Sequence, residues 1–209
     1  MKKLPLFPLN IVTFPGEDVN LHVFEPRYKQ LVNDCLENQD PFGIPSYVHN
    51  KIELGTEVEI VEVAKTYEDG RMDIKTKATR VFRVIDYWNP WDEKLYAGGE
   101  IEYIDATSTE CDLGKLLRMK ELVAQLFAWL QEVNTPNVAT AKSVFDFGHK
   151  IGFKLEEEYQ LLKMSSENER LDFTIQHLES LLPALERAQS AQERIKQNGH
   201  FKHLDPLKF

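Results

Sequence analysis

Leu4-Pro5-Leu6-Phe7-Pro8-Leu9, Phe14-Pro15-Gly16 and Leu21-His22-Val23-Phe24-Glu25-Pro26-Arg27-Tyr28 succeed one another near the start of the chain, and their reading decides the fold. Pro5 and Pro8 break the apolar run behind Met1-Lys2-Lys3, and no small-residue cleavage site follows, so the run does not read as a secretory signal. Phe14-Pro15-Gly16 marks a turn. Pro26 suits the first position of a helix, and Tyr28, Leu31, Val32, Cys35 and Leu36 then share one face at spacings of three and four. Glu25 is expected to face the positive end of that helix, while Arg27 and Tyr28 tie it to a sheet. Cys35 reads as a small core residue rather than a reactive thiol.

Outward from this stretch, the pattern to about Asp105 is that of strands. Val58 and Ile60 alternate with Glu57 and Glu59, and Met72, Ile74, Thr76 and Ala78 alternate with Asp73, Lys75 and Lys77, the period of a sheet wet on one side. Asp69-Gly70 between them predicts a two-residue hairpin turn. That turn would set Met72 opposite Tyr67, Thr76 opposite Val63 and Lys77 opposite Glu62. The alternation slips at Ile60-Val61 and Val81-Phe82, which predicts a bulge or a strand buried on both faces. The acidic strip Glu57, Glu59 and Glu62 reads as a solvated strand face.

After about Cys111 the period becomes helical. Leu113, Leu116, Leu117, Leu122, Val123, Leu126, Phe127 and Leu130 form an apolar stripe that Thr135-Pro136-Asn137 should end. A second helix is expected over 138–150 with Gly152 as its stop, and a third over about 155–164. Ser166 and Glu169 form a capping-box pair for a long fourth helix, which Pro183 should kink. The expected class is α+β: a sheet subdomain over residues 1–108 and a helical bundle over 109–209.

The opening motifs, with Phe42-Gly43-Ile44, Leu54-Gly55-Thr56, Glu59-Ile60-Val61-Glu62-Val63 and Asp69-Gly70-Arg71, resemble the N-terminal, substrate-binding domain of the Lon protease family. Tyr159-Gln160-Leu161-Leu162-Lys163 and Glu169-Arg170-Leu171 are similar to its helical part, so the likeness covers most of the chain. It implies a six-stranded, PUA-like pseudo-β-barrel followed by helices, with Pro8, Phe14, Pro15, Gly16, Phe24, Glu25, Pro26, Arg27 and Tyr28 as structural motif residues. It also implies a module that holds substrate polypeptides or partner proteins. Ala78 stands where the family usually has Gly. The sequence contains no Gly-x-x-x-x-Gly-Lys-Ser/Thr loop to cradle ATP phosphates, and the Ser-Lys dyad of Lon belongs to a domain outside these 209 residues. The chain is therefore expected to bind without catalysing, as a stand-alone form, and a peptidase label inherited from the family would misdescribe it.

Composition narrows the rest. A chain of 209 residues with 42% hydrophobic and 28% charged content is globular rather than disordered, and it hides roughly 70% of its unfolded surface. Cys35 and Cys111 make neither a disulfide framework nor a metal knuckle, which fits a reducing compartment. No apolar run reaches the roughly 20 residues of a membrane span, so the expected location is the cytoplasm. A net charge of −9 disfavours nucleic acid and anionic membranes as partners.

No catalytic group is readable. Lys142 precedes Ser143 directly, and adjacent helical residues point about 100° apart, too far for a base and its nucleophile. Glu25, Arg27 and Tyr28 could pass for an acid–base cluster, but read as structural. His22, His49, His149 and His177 share no metal spacing, and His200 with His203 lacks a third ligand. No cofactor or metal is expected.

The most suggestive feature is Tyr87-Trp88-Asn89-Pro90-Trp91 with Tyr96, aromatic rings around a turn between two strands. Tyr87, Trp88, Trp91 and Tyr96 are candidates for gripping unfolded polypeptide segments, because large rings offer contact area with few rotatable bonds. The alternative for the same rings is packing over the barrel. Two other readings of the chain are an adaptor for a folded protease or chaperone and, against the charge, a PUA-like RNA binder. A weak homodimer is a further expectation, and the implied setting is protein quality control.

Overall fold

A computed structural model describes residues 2–48, 50–104, 111–130 and 137–199. The chain runs β1 (Lys2–Leu6), β2 (Asp18–Val23), α1 (Pro26–Asn38), β3 (Phe42–Val48), β4 (Lys51–Thr66), β5 (Met72–Trp88), β6 (Ala97–Tyr103), α2 (Leu113–Leu130), α3 (Leu155–Lys163) and α4 (Glu167–Gly199). The α+β class is as the periodicities predict.

The six strands lie in the order β2-β5-β4-β3-β1-β6, and β6 returns to pair with β5. Strands β5, β4, β3, β1 and β6 therefore close a ring, and β2 lies outside it on the first half of β5. Strand β5 is long enough to serve both: Met72–Lys77 pair with β2, and Phe82–Trp88 pair with β6. All strand pairings are antiparallel except β1 with β3, which meet at Leu6 and Gly43, with a further parallel bridge at Leu9 and Ser46.

Phe14-Pro15-Gly16 makes the turn that its residues predict. Glu17 N donates to Phe14 O at 3.1 Å and Gly16 has φ +88°, the positive angle that a type II turn demands after proline. Gly16 N then donates to Ala78 O and Ala78 N to Glu17 O, both at 2.9 Å, so the turn docks on β5 at Ala78.

Helix α1 starts at Pro26 behind Glu25, whose carbonyl accepts from the amides of Tyr28 and Lys29. Tyr28 is buried and stacks on Phe7 with ring centroids 3.7 Å apart, so it fixes the helix to the chain leaving β1. Arg27 lines a recess with Tyr47 and Tyr87 of the sheet. Its guanidinium pairs with Glu25 at 2.8 Å and lies over the Tyr28 ring. Leu36, expected on the buried face, is 40% exposed.

The β4–β5 hairpin departs from the predicted register. Gly70 N donates to Tyr67 O and Tyr67 N to Arg71 O, each at 2.9 Å, and Gly70 has φ +76°. The loop is thus three residues, Glu68–Gly70, with glycine in the left-handed position. Thr66, not Tyr67, faces Met72, and further shifts at Ile60/Glu62 and Val63/Lys65 bring Glu62 to Lys75 and Glu59 to Lys77. Glu62 pairs with Lys75 at 2.9 Å, while Lys77 reaches Asp18 of β2 at 2.8 Å. The dipeptide marks the turn, but loop length and bulges set the register.

A third shift lies between Thr56 and Val58, where Thr79 and Arg80 of β5 oppose the single residue Glu57. The reading of Glu57 as solvated is overturned here. Its side chain is 3% exposed and bonds Lys2 Nζ at 3.0 Å, Arg80 at 3.3 Å, Thr79 Oγ1 at 3.3 Å and the Tyr103 hydroxyl. Glu59 and Glu62 are exposed, as expected.

The stretch expected as a helix over 138–150 is instead two single 3₁₀ turns, Val138–Thr140 and Val144–Asp146, each capped by a side chain: Asn137 and Ser143. Local capping bonds from such residues compete with a continuous helix. Gly152 does adopt φ +82°. The other two helices form where expected, α4 passing through Pro183. Thr135 and Pro136 of the expected α2 stop lie outside the described residues.

Three apolar clusters hold the molecule. Leu4, Leu6, Phe82, Ala97 and Ile101 pack together from three strands of the ring. Tyr28, Leu31, Val32 and Cys35 bury α1 against Phe42, Ile44, Val58 and Ile74. The largest joins Val12, Phe14, Val48, Leu54 and Val81 of the sheet region to Leu122, Leu126, Phe147, Leu162 and Leu178 of the helical region.

Candidate functional site

Between β5 and β6 the chain passes through the aromatic stretch, and two networks hold it. Trp91 N donates to Tyr96 O at 2.9 Å and Lys94 N to Trp91 O at 3.0 Å, which closes the loop on itself. Helix α1 then fixes it: Asp34 accepts from Lys94 Nζ and the Tyr96 hydroxyl, both at 2.7 Å, and Gln30 accepts from Leu95 N at 2.8 Å. Partial burial disfavours the charged Asp34, but the Lys94 and Tyr96 bonds outweigh it and hold the carboxyl below its usual range. Burial and then the Asp34 bond push the Tyr96 phenol up.

The four candidate rings have different places. Tyr96 is 2% exposed and belongs to the core. Trp91 lies flat against Gly98, where a Cβ would overlap the indole, so glycine is what lets the ring approach the sheet. Trp88 lies 6.2 Å from Trp91, bonds Asp86 through its indole N–H at 2.9 Å and carries Lys3 over its face. Tyr87 turns the other way, into a recess of about 260 Å³ with Tyr28, Tyr47 and Arg27.

Trp91 and Tyr96 border a larger recess of about 600 Å³. Its opposite walls are β1 from Lys2 to Pro5 and the end of α1 with Asp34, Cys35 and Asn38, and Asp40, Asp92, Glu93 and Lys94 ring its mouth. Burial raises the Cys35 thiol to about 12, so it is no nucleophile. Sequence reasoning found the rings but missed Asp34, Lys94 and Lys3; the partners in this recess lie as many as 62 positions apart, and no local pattern links them.

The remaining candidates have structural partners. Ser143 Oγ donates to Glu167 at 3.1 Å and accepts from Phe145 N, the work of a cap. His22 pairs with Asp73, His149 with Glu17 and Glu158, and His177 with the Ile151 carbonyl. Phe24 is 58% exposed, with His22 nearby. Among the described residues no group of three metal-binding side chains occurs, and no helix is long and apolar enough to cross a membrane. His49, His200 and His203 lie outside the described residues.

No curated protein matches the sequence. Among solved structures, the N-terminal domain of the Mycobacterium avium complex Lon protease superposes with a TM-score of 0.62 at 15% identity, over 87% of this chain and 100% of that one, which is a likeness of fold. A Lon N-terminal domain protein from Xanthomonas campestris gives a TM-score of 0.64 at 26% identity, over 82% of this chain and 96% of that one. The family model for the substrate-binding domain of ATP-dependent protease La (LON) matches residues 3–180, and with the ring of strands and the helices behind it this places the chain in the LON substrate-binding domain family.

Proposed function

We propose that this protein is a non-catalytic polypeptide-binding module of cytoplasmic protein quality control, gripping exposed segments of unfolded chains in the recess beside Trp91. The observation that carries the reading is the recess itself: about 600 Å³, open to solvent, with an indole on one wall and strand backbone on another. Concave sites with an aromatic wall and a few polar groups suit side chains that a folded protein would hide. Affinity for a short segment is expected near micromolar, about −8 kcal/mol, since ordering the peptide offsets much of the contact energy.

Fluorescence anisotropy with unfolded model peptides tests this. Saturable binding that Trp91→Ala weakens about tenfold supports it; no saturation at high protein concentration sinks it. A second reading, an adaptor for a folded protein, draws on Leu113 and Leu117, one turn apart on α2 and 71% and 62% exposed. A stoichiometric complex with one folded partner that Leu117→Glu abolishes, and Trp91→Ala leaves intact, would favour it.

A further inference from the structure

Four consecutive residues of one strand, Lys2 to Pro5, border the larger recess. Side chains of a strand alternate between faces, so a cavity that meets every residue in turn meets the strand's edge. The pairing agrees. Strand β1 pairs with β6 along its whole length but with β3 only at Leu6 and Gly43. Upstream of Phe42 the chain leaves the sheet through Pro41, Asp40 and Gln39, the last in the left-handed conformation that ends α1. The line β3 would follow beside Lys3 and Pro5 is therefore open, and the recess occupies it.

The groups on that edge follow from alternation. Phe7 N donates to Gly43 O, so Phe7 directs its amide toward β3, and Pro5 and Lys3 direct theirs the same way. Proline has no N–H, so the edge offers the N–H and C=O of Lys3 and the C=O of Pro5. Proline and lysine also blunt this edge against uncontrolled pairing, which restricts it to short partners.

Charge selects among those partners. Asp34 is taken by Lys94 and Tyr96, and Lys2 by Glu57. Asp40, Asp92 and Glu93 are exposed at the mouth and carry no ion pair among the described residues, while of the three lining lysines Lys2 and Lys94 are paired and Lys3 lies over Trp88.

We propose that the slot is an open strand position, which a short, extended, basic polypeptide segment enters to pair with the free edge of β1, its cationic side chains meeting Asp40, Asp92 and Glu93. This rests on the polypeptide-binding reading above and adds to it a backbone mode and a charge preference. Main-chain pairing accepts many sequences, while the rim rejects acidic ones.

The test uses the full chain and a short fluorescein-labelled peptide of alternating valine and lysine, followed by anisotropy. Two versions carry N-methyl groups on alternate residues, so that one loses the amides facing β1 and the other those facing away. One is expected to bind about tenfold more weakly and the other within about twofold of the parent. Equal binding by both overturns strand pairing yet leaves the polypeptide-binding reading standing, whereas absence of saturable binding by the parent removes both. Replacing lysine by glutamate in the peptide is expected to weaken binding at least about tenfold; equal affinity overturns the charge preference. Lys3→Pro deletes the one donor on the edge and is expected to weaken the parent peptide about tenfold. Unchanged affinity in a folded Lys3→Pro protein counts against the pairing, and the methylated peptides decide the question even if that variant fails to fold.

Discussion

The wall of the strand ring and the seam between ring and helices are each joined through carboxylates, and the two respond to opposite ends of the pH scale. In the wall, Glu57 is buried opposite the Thr79–Arg80 bulge. Burial disfavours its charge, but the bonds from Tyr103, Lys2 and Arg80 prevail and its pKa lies below 4.5. In the seam, His149 is sandwiched between Glu158 at 2.8 Å and Glu17 at 3.1 Å, with its ring 4.7 Å from Phe14. Both nitrogens meet carboxylates, so the imidazolium is the form that satisfies them; the Glu158 bond, then the Glu17 bond, raise its pKa to about 9 against partial burial. One junction keeps an anion and the other a cation, because each is outnumbered by partners of opposite charge.

The largest effect should come from the seam's apolar side. Phe14 is 1% exposed, packs on Phe145 and lies so close to Gly148 that a Cβ there would overlap its ring. Phe14→Ala is expected to cost about 3–5 kcal/mol by chemical denaturation, and Gly148→Val to destabilise through overpacking. A sheet fragment of residues 1–108 should likewise fail to fold alone, since Val12, Phe14, Leu54 and Val81 lose their helical cover; a cooperative transition in that fragment would show the ring to be self-sufficient.

Next comes the wall. Glu57→Gln should cost about 1–3 kcal/mol at neutral pH, less than loss of a wholly buried pair because Lys2 and Arg80 are 43% and 56% exposed and regain water. Since the folded pKa is lowered, the stability Glu57 contributes is present above 4.5 and lost as pH falls through the folded value. Acid unfolding of Glu57→Gln should be correspondingly less steep.

The seam's electrostatic side gives a smaller effect of opposite sign. A folded pKa raised from 6.5 to about 9 means stability fully present below 6.5 and lost as pH rises through 9. Melting temperatures measured between those values should fall for the native protein and stay flatter for His149→Gln. Because the side chain is about a third exposed, solvent screening keeps this contribution small.

Smallest of all is Lys75→Ala. It breaks the Glu62 pair on a strand face where both side chains are more than half exposed, and it should change stability by less than about 1 kcal/mol. A larger loss would place the hairpin's register, rather than its bulges, under the control of surface charge.

Much of this was legible along the chain. Pro26 and the spacing of Tyr28, Leu31, Val32 and Cys35 located α1, Phe14-Pro15-Gly16 located a turn, and the slips at Ile60-Val61 and Val81-Phe82 lie beside bulges that the sheet contains. The errors have separate causes. Alternation states which face a residue takes but not what covers that face: Glu57 keeps its place between Thr56 and Val58, and Lys2, Arg80 and Tyr103 from β1, β5 and β6 close over it. The helix expected over 138–150 failed because Asn137 and Ser143 capped short turns within it.

By itself the sequence determined the element types outside 138–150, the turn glycines and the family, because those depend on φ preferences and on periodicity within a few residues. Only the tertiary structure decided that β6 returns to β5, that Asp34 anchors the aromatic loop and that β1 has an unpaired edge beside a recess. Each of these joins residues tens of positions apart, and which distant groups meet is settled by chain closure and packing rather than by local preference.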